Sequence, residues 1–213
     1  MEAIINVNNY TKIIKGQTIL NRVNLSLAPG NIYGFIGYNG SGKSMLMKAI
    51  CGFILPTEGH VVVQGKRIGV DIDFPQSVGV IIEHPSFIPE YSAQKNLRFL
   101  AEIRNQVKTE DIIDVLKTVG LDPNSSKKVR AFSLGMTQRL AIAQAIMEDP
   151  DILILDEPMN GLDEDGVVLV RKLLLDLKAN GKTILLCSHV AEDIELLCAH
   201  VWRMRCGEAH QER

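Results

Sequence analysis

Eight consecutive residues constrain this chain more than any others: Gly37-Tyr38-Asn39-Gly40-Ser41-Gly42-Lys43-Ser44. Glycine adopts backbone angles closed to other residues, so Gly37, Gly40 and Gly42 let the chain wrap tightly and aim successive N–H groups inward. Lys43 adds a point charge and Ser44 a hydroxyl. Upstream, Asn31 to Ile36 reads as a buried strand, and downstream Met45 to Cys51 reads as a helix closed by Gly52. A glycine loop set between strand and helix puts a cradle of donors at a helix N-terminus, the geometry that holds nucleotide phosphates. The sequence therefore predicts ATP bound along Gly37, Tyr38, Asn39, Gly40, Ser41, Gly42, Lys43 and Ser44, with Mg²⁺ on the Ser44 hydroxyl.

The rest of the pattern supplies a sheet for that loop. Ala3 to Asn8 and Val23 to Leu27 read as strands, with Lys15-Gly16-Gln17 as a turn between them, and Val61-Val62-Val63 as another strand between two turns. Ser77 to Glu83 is an apolar strand ending on an acid. Ile152 to Leu155 is apolar at every position, as expected in the centre of a parallel sheet, and Thr183 to Cys187 repeats the pattern. Helical spacing covers Ser92 to Val119, Leu134 to Met147, Val167 to Ala179 and Val190 to Leu197. The alternation is that of an α/β protein. With 213 residues, 46% of them hydrophobic, the chain is long enough to bury a sizeable core as one domain.

Charge and cysteine usage exclude several classes. A formal net charge of −2, with no long run of Lys and Arg, argues against nucleic acid as a partner. The short cluster Lys127, Lys128 and Arg130 reads as a solvated loop. No apolar stretch is long enough to cross a bilayer and Met1 to Ile5 lacks a basic leader, so the expectation is no direct membrane insertion, with any membrane role borrowed from a partner. Cys51, Cys187, Cys198 and Cys206 are widely spaced and read as small core hydrophobes in a reducing cytosol.

A second constellation lies at the end of the Ile152 to Leu155 strand, where open α/β sheets place ligand chemistry. Asp156 is positioned to hold Mg²⁺ opposite Ser44. Glu157, one residue on, is expected on the opposite strand face, from which it polarises a water in line with the γ-phosphate. Ser188-His189 follows the last strong strand.

Phe132-Ser-Leu-Gly-Met-Thr-Gln-Arg139, then Asp156-Glu157-Pro158, Asn160-Gly-Leu-Asp163 and Ser188-His189, in that order behind the glycine loop, resemble the nucleotide-binding domain of ABC transporters from Ile4 to about Gly207. The resemblance implies a P-loop NTPase (RecA-like) core sheet carrying an N-terminal antiparallel β subdomain, within about 1–30 and 57–75, and an α-helical signature subdomain at about 86–148, all in one ATPase domain over 1–213. It implies a head-to-tail homodimer with ATP at the interface. There Ser133 and Gly135 of one copy reach the γ-phosphate held by the other, Asp163 links the two sites, and His189 contacts the γ-phosphate and the attacking water in cis. The implied partner is a separate membrane permease, which would hold the chain at the cytoplasmic face of the membrane and take up motion through a helical insertion around Ser86 to Leu100.

Four positions, in three places, depart from the family pattern. Glu83 stands where glutamine is usual; a carboxylate accepts hydrogen bonds without donating them, yet can ligate Mg²⁺. Leu134 and Met136 replace glycine and glutamine in the signature. Ile14 falls where an aromatic residue usually stacks on adenine, Tyr10 being four residues too early. The Ile82 to Pro85 stretch and the Ser-Leu-Gly-Met signature are similar to exporters of bacitracin or lantibiotic peptides. A soluble ABC ATPase serving as a scaffold or assembly factor, without a permease, is the competing reading.

Overall fold

The computed structural model describes residues 2–83 and 85–213, so position 84 of the Ile82 to Pro85 stretch and Met1 of the first five residues lie outside the described residues. A four-stranded antiparallel sheet forms from β1 (Ile5–Ile14), β2 (Gln17–Leu27), β4 (Glu58–Val63) and β5 (Lys66–Arg67), in the order β2-β1-β4-β5. Its turn falls on Lys15 and Gly16, both left-handed. The two long strands extend beyond the stretches legible from composition: segments 9–14 and 17–22 mix polar residues with the buried Tyr10 and Leu20, and irregular ladder pairing keeps them extended.

The second sheet has six strands in the order β10-β9-β3-β8-β7-β6: β10 (Glu208–Gln211), β9 (His200–Arg205), β3 (Ile32–Ile36), β8 (Thr183–Cys187), β7 (Ile152–Asp156) and β6 (Val78–Ile81). All neighbours are parallel except the β9/β10 hairpin. Both faces are buried, which explains the unbroken apolar runs. Leu153, Leu155, Ile184 and Leu186 pack with α2 (Ala93–Arg104), α3 (Thr109–Thr118), α4 (Leu134–Ile146), α5 (Glu164–Ala179) and α6 (Ala191–Leu197). Ile152, Ile154, Leu185 and Cys187 face the other way, onto α1 (Lys43–Ile50) and the antiparallel sheet. Burying each such Leu or Ile contributes roughly 1.5–3 kcal/mol, so the central strands hold the two layers together.

Three expectations need correcting. The stretch from Ser86 is not helical until Ala93. A loop precedes α2, held by the buried Asn96 side chain, whose Oδ1 accepts from Ile88 N at 2.7 Å and whose Nδ2 donates to Ile88 O at 3.1 Å and Ser92 O at 3.0 Å. Ser92 then caps α2. The helical pattern over Ser92 to Val119 is two helices, since Asn105 adopts φ +53° and ends the first. Hydrophobic spacing does not register a single left-handed residue. Finally, Cys51, Cys187 and Cys198 are buried as expected, but Cys206 is exposed in the β9/β10 turn at φ +50°. Burial pushes the Cys51 and Cys198 thiols up to about 12.

Candidate functional site

The glycine loop leaves β3 at Gly37 and enters α1 at Lys43, as its composition predicts. Gly37, Gly40 and Gly42 have φ of +149°, +78° and +108°. At Gly37 the requirement is also steric: an added Cβ would come within 2.4 Å of the Met204 carbonyl oxygen. The loop is thus seated on β9, and from the β9/β10 turn Gly207 N donates to Ser41 O at 3.0 Å. Gly42 caps α1 without a side-chain bond, which leaves the first-turn amides of the helix for an anion. Lys43 is buried, its ammonium donating to the Gly37 and Tyr38 carbonyls at 2.7 and 3.3 Å. Carbonyls solvate a cation without cancelling its charge, so the loop favours a phosphate. The Ser41 hydroxyl is buried with no hydrogen-bond partner among the described residues, as fits a loop shaped around a polar ligand.

Asp156 ends β7 beside the loop, and Ser44 Oγ donates to its Oδ2 at 2.5 Å. Two hard oxygen donors this close suit Mg²⁺, which takes one or two protein ligands and fills its octahedron with water and phosphate oxygens. Glu83 lines the same cleft at φ +63°, its carboxylate 2.5 Å from the ammonium of Lys48, one turn beyond Ser44 on α1. Metal contact by Glu83 would therefore compete with that ion pair.

Glu157 is reached differently from the way strand alternation predicts. The strand stops at Asp156, and Glu157 turns off it at φ +53°, its N–H donating to Cys187 O at 3.0 Å. Its carboxylate consequently faces His189, with His189 Nδ1 hydrogen-bonded to Glu157 Oε2 at 2.8 Å. His189 stands just past β8, and its side chain is 64% exposed against 24% for Glu157. A left-handed glutamate is uncommon and costs strain, the kind of conformation that persists at functional sites.

A cleft of about 1150 Å³ collects the loop from Asn39 to Met45 with Glu83, Asp156, Glu157, Leu134 and Gln138. Its mouth is formed by Ile14, Lys15, Gln17 and Ile19. Tyr10 is fully buried, its hydroxyl donating to Ile54 O at 2.9 Å, so it packs in the core and Ile14 is the residue at the cleft. Tyr38, within the loop, is 87% exposed.

The signature segment is arranged otherwise. Ser133 is the exposed N-cap of α4, its Oγ accepting from Met136 N at 3.2 Å. Gly135 sits so close to the Asn160 to Asp163 turn that a Cβ would lie 2.9 Å from Gly161 O. Asp163 caps α5, accepting from Gly166 N at 3.0 Å and from Arg139 Nη2 at 2.9 Å. The Arg139 hydrogen bond holds the Asp163 carboxyl below its ordinary range, helped by the Gly166 amide. Gln138, buried on α4, donates to Pro158 O at 3.0 Å and ties this segment to the turn carrying Glu157. Sequence reasoning missed Gln138, Arg139 and Lys48; an amide on the apolar face of a helix was the one available signal, for Gln138.

A family model described as ABC transporter matches residues 20–160. The uncharacterized ABC transporter ATP-binding protein YybJ of Bacillus subtilis is 48% identical over 204 residues, covering 96% of this chain and 94% of that protein. The chain belongs to the ABC transporter family. It is an ABC ATPase with the P-loop NTPase fold. The bacitracin transport ATP-binding protein BcrA of Enterococcus faecalis is 40% identical to this ABC ATPase, over 100% of this chain and 70% of that protein. Among solved structures, a dimeric bacterial ABC transporter cassette superposes with a TM-score of 0.89 at 24% identity, covering 98% of each chain. No helix among the described residues of the ABC ATPase is long and apolar enough to cross a membrane.

Proposed function

We propose that this ABC ATPase powers an exporter, of a peptide antibiotic or similar compound, as a homodimer docked on a separate permease at the cytoplasmic face of the membrane. The observation that carries the hydrolytic half is the convergence on one cleft of Lys43, the Ser44–Asp156 pair and Glu157, whose carboxylate is hydrogen-bonded to His189 at the edge of that cleft. ATP lies with its phosphates on the loop from Gly37 to Ser44. Asp156 and Ser44 would hold Mg²⁺, with Glu83 as a further ligand if it leaves Lys48; the ion neutralises phosphate charge when bound. Glu157 accepts the proton of the attacking water, and His189 fixes the direction of that carboxylate by its 2.8 Å hydrogen bond and meets the γ-phosphate in cis.

The dimer half rests on Ser133. Ser133 is an exposed helix N-cap, and a second copy in head-to-tail orientation would bring a phosphate to this helix N-terminus together with Gly135. Asp163, on the turn packed against Gly135, would carry contact between the two sites. The relative named for bacitracin transport supports the exporter reading, and the dimeric cassette supports the assembly. In this scheme the whole described chain works as one unit.

The test uses the hydrolysis-stalled variant Glu157→Gln, tagged and expressed in native cells, with membranes solubilised gently in Mg-ATP. A polytopic membrane protein co-purifying in matching stoichiometry is the expected result and names the permease. A soluble partner in its place would move the reading to an assembly factor without a permease.

A further inference from the structure

Behind the His189–Glu157 contact runs a chain of polar groups outside the phosphate cleft. Asp193, on α6, is 1% exposed. A carboxylate so buried persists only when every lone pair has a use. Its Oδ1 accepts from Arg171 of α5, from Nε at 2.8 Å and Nη2 at 2.6 Å. Its Oδ2 accepts from Ser188 Oγ at 3.1 Å. The same Ser188 oxygen accepts from Val190 N at 3.1 Å. The residues on either side of His189 are thus pinned to one hydroxyl, the hydroxyl to one carboxylate, and the carboxylate to a guanidinium on the helix that Asp163 caps. Glu192 keeps Arg171 in place from the solvent side, accepting from Nη2 at 2.9 Å.

Net stability is a poor reason for such a cluster, because a buried ion pair is often matched or exceeded by apolar residues of the same volume. Direction is a better one. An ion pair sharing two donors on one oxygen and a hydroxyl on the other fixes the carboxylate plane, and through Ser188 the backbone from which the half-exposed His189 ring leaves β8. Without that hold, a ring 64% exposed would sample rotamers that break its contact with Glu157.

We propose that Ser188, Asp193 and Arg171 are positioning residues that set His189 on Glu157 and couple its placement to α5. The proposal rests on the hydrolytic reading of Glu157 above. It adds that a signal arriving at Asp163, at the N-terminus of α5, has a rigid route through Arg171 to the residue beside the reacting water.

Two readouts on the full chain decide it: long-range ¹⁵N spectra of the His189 ring, and steady-state ATPase kinetics with nucleotide affinity measured separately. Ser188→Ala leaves the Arg171–Asp193 pair whole and removes only the tether. The expected result is loss of the His189 Nδ1 hydrogen-bond signature, a fall in kcat of between about tenfold and a hundredfold, and nucleotide affinity within about twofold of the parent. Ser188→Thr, which keeps the hydroxyl, should recover both readouts. Asp193→Asn should reproduce the Ser188→Ala kinetics, and if it does not fold, the serine pair still decides. His189 resonances unchanged in Ser188→Ala, a kcat within twofold of the parent, or a loss matched by an equal loss of nucleotide affinity would each overturn the proposal. A parent without ATPase activity would overturn the hydrolytic reading alone, and the His189 resonances would then settle the positioning by themselves.

Discussion

The phosphate cleft and the signature segment lie at the two ends of one polar neighbourhood, yet they are built on opposite principles. In and beside the cleft, groups on α1 and just past β3, β7 and β8 already touch one another: Ser44 with Asp156, His189 with Glu157, Lys43 with its own loop. In the signature segment, Ser133 Oγ takes an amide of its own helix turn and the residue is exposed, and Gly135 backs onto Gly161. The first region finds its side-chain partners within a single chain, whereas the second, on the reading proposed above, would meet its partner only in a second copy. A parallel sheet gathers strand ends, and hence ligands, at one edge; a helix N-terminus on a separate layer can serve only what is brought to it.

Replacing Lys43 with Ala should break the cleft most severely, lowering ATP affinity by about a hundredfold or more through loss of the buried cation, as read with a fluorescent nucleotide. Glu157→Gln should separate binding from chemistry. We expect kcat to fall by about 10²–10⁴-fold with ATP affinity preserved, and the dimer to accumulate in Mg-ATP on light scattering; undiminished turnover would remove Glu157 as the base.

Ser133→Arg addresses the other region. ATP binding to the monomer should stay within about twofold of the parent, while ATP-driven dimerisation and turnover fall at least about tenfold, because the N-cap is occupied and the approaching phosphate meets a bulky side chain. Equal losses of monomer binding and turnover would mean that Ser133 serves its own cleft. The smallest effect belongs to Asp163→Ala. The folded Asp163 pKa is depressed by Arg139, so its contribution to stability is fully present above the ordinary carboxylate range and is lost as pH falls through the depressed folded value. The variant should melt slightly below the parent near neutral pH, and the gap should close below about pH 4, as thermal unfolding against pH will show.

Much of this was legible in the sequence, and the reasons differ by element. The strands β3, β7 and β8 announced themselves because both faces are buried, so nearly every position is apolar. The P-loop was legible because three glycines and a lysine have few other uses at that spacing. β9 and β10 were not, since His200 to Arg205 mixes exposed polar residues with Val201 and Met204, and its strand character comes from pairing with β3. The loop from Ser86 also resisted reading, because what holds it is the Asn96 side chain, several residues away on α2.

The amino-acid sequence by itself determined the chemistry present: a phosphate loop, an acidic strand end, a signature helix, a serine and a histidine, in an order that admits one family. Those features depend on residue type and on neighbours a few positions away, which local physics fixes. Tertiary structure alone decided where the groups point. Glu157 faces His189 because it turns off β7 in a left-handed conformation bonded to Cys187 O; Glu83 meets Lys48 across the cleft; Asp193 is held by Arg171 from a helix some twenty residues back. Each depends on contacts between distant segments, whose geometry is set only once the sheet has stacked its helices and every buried polar group has found a partner.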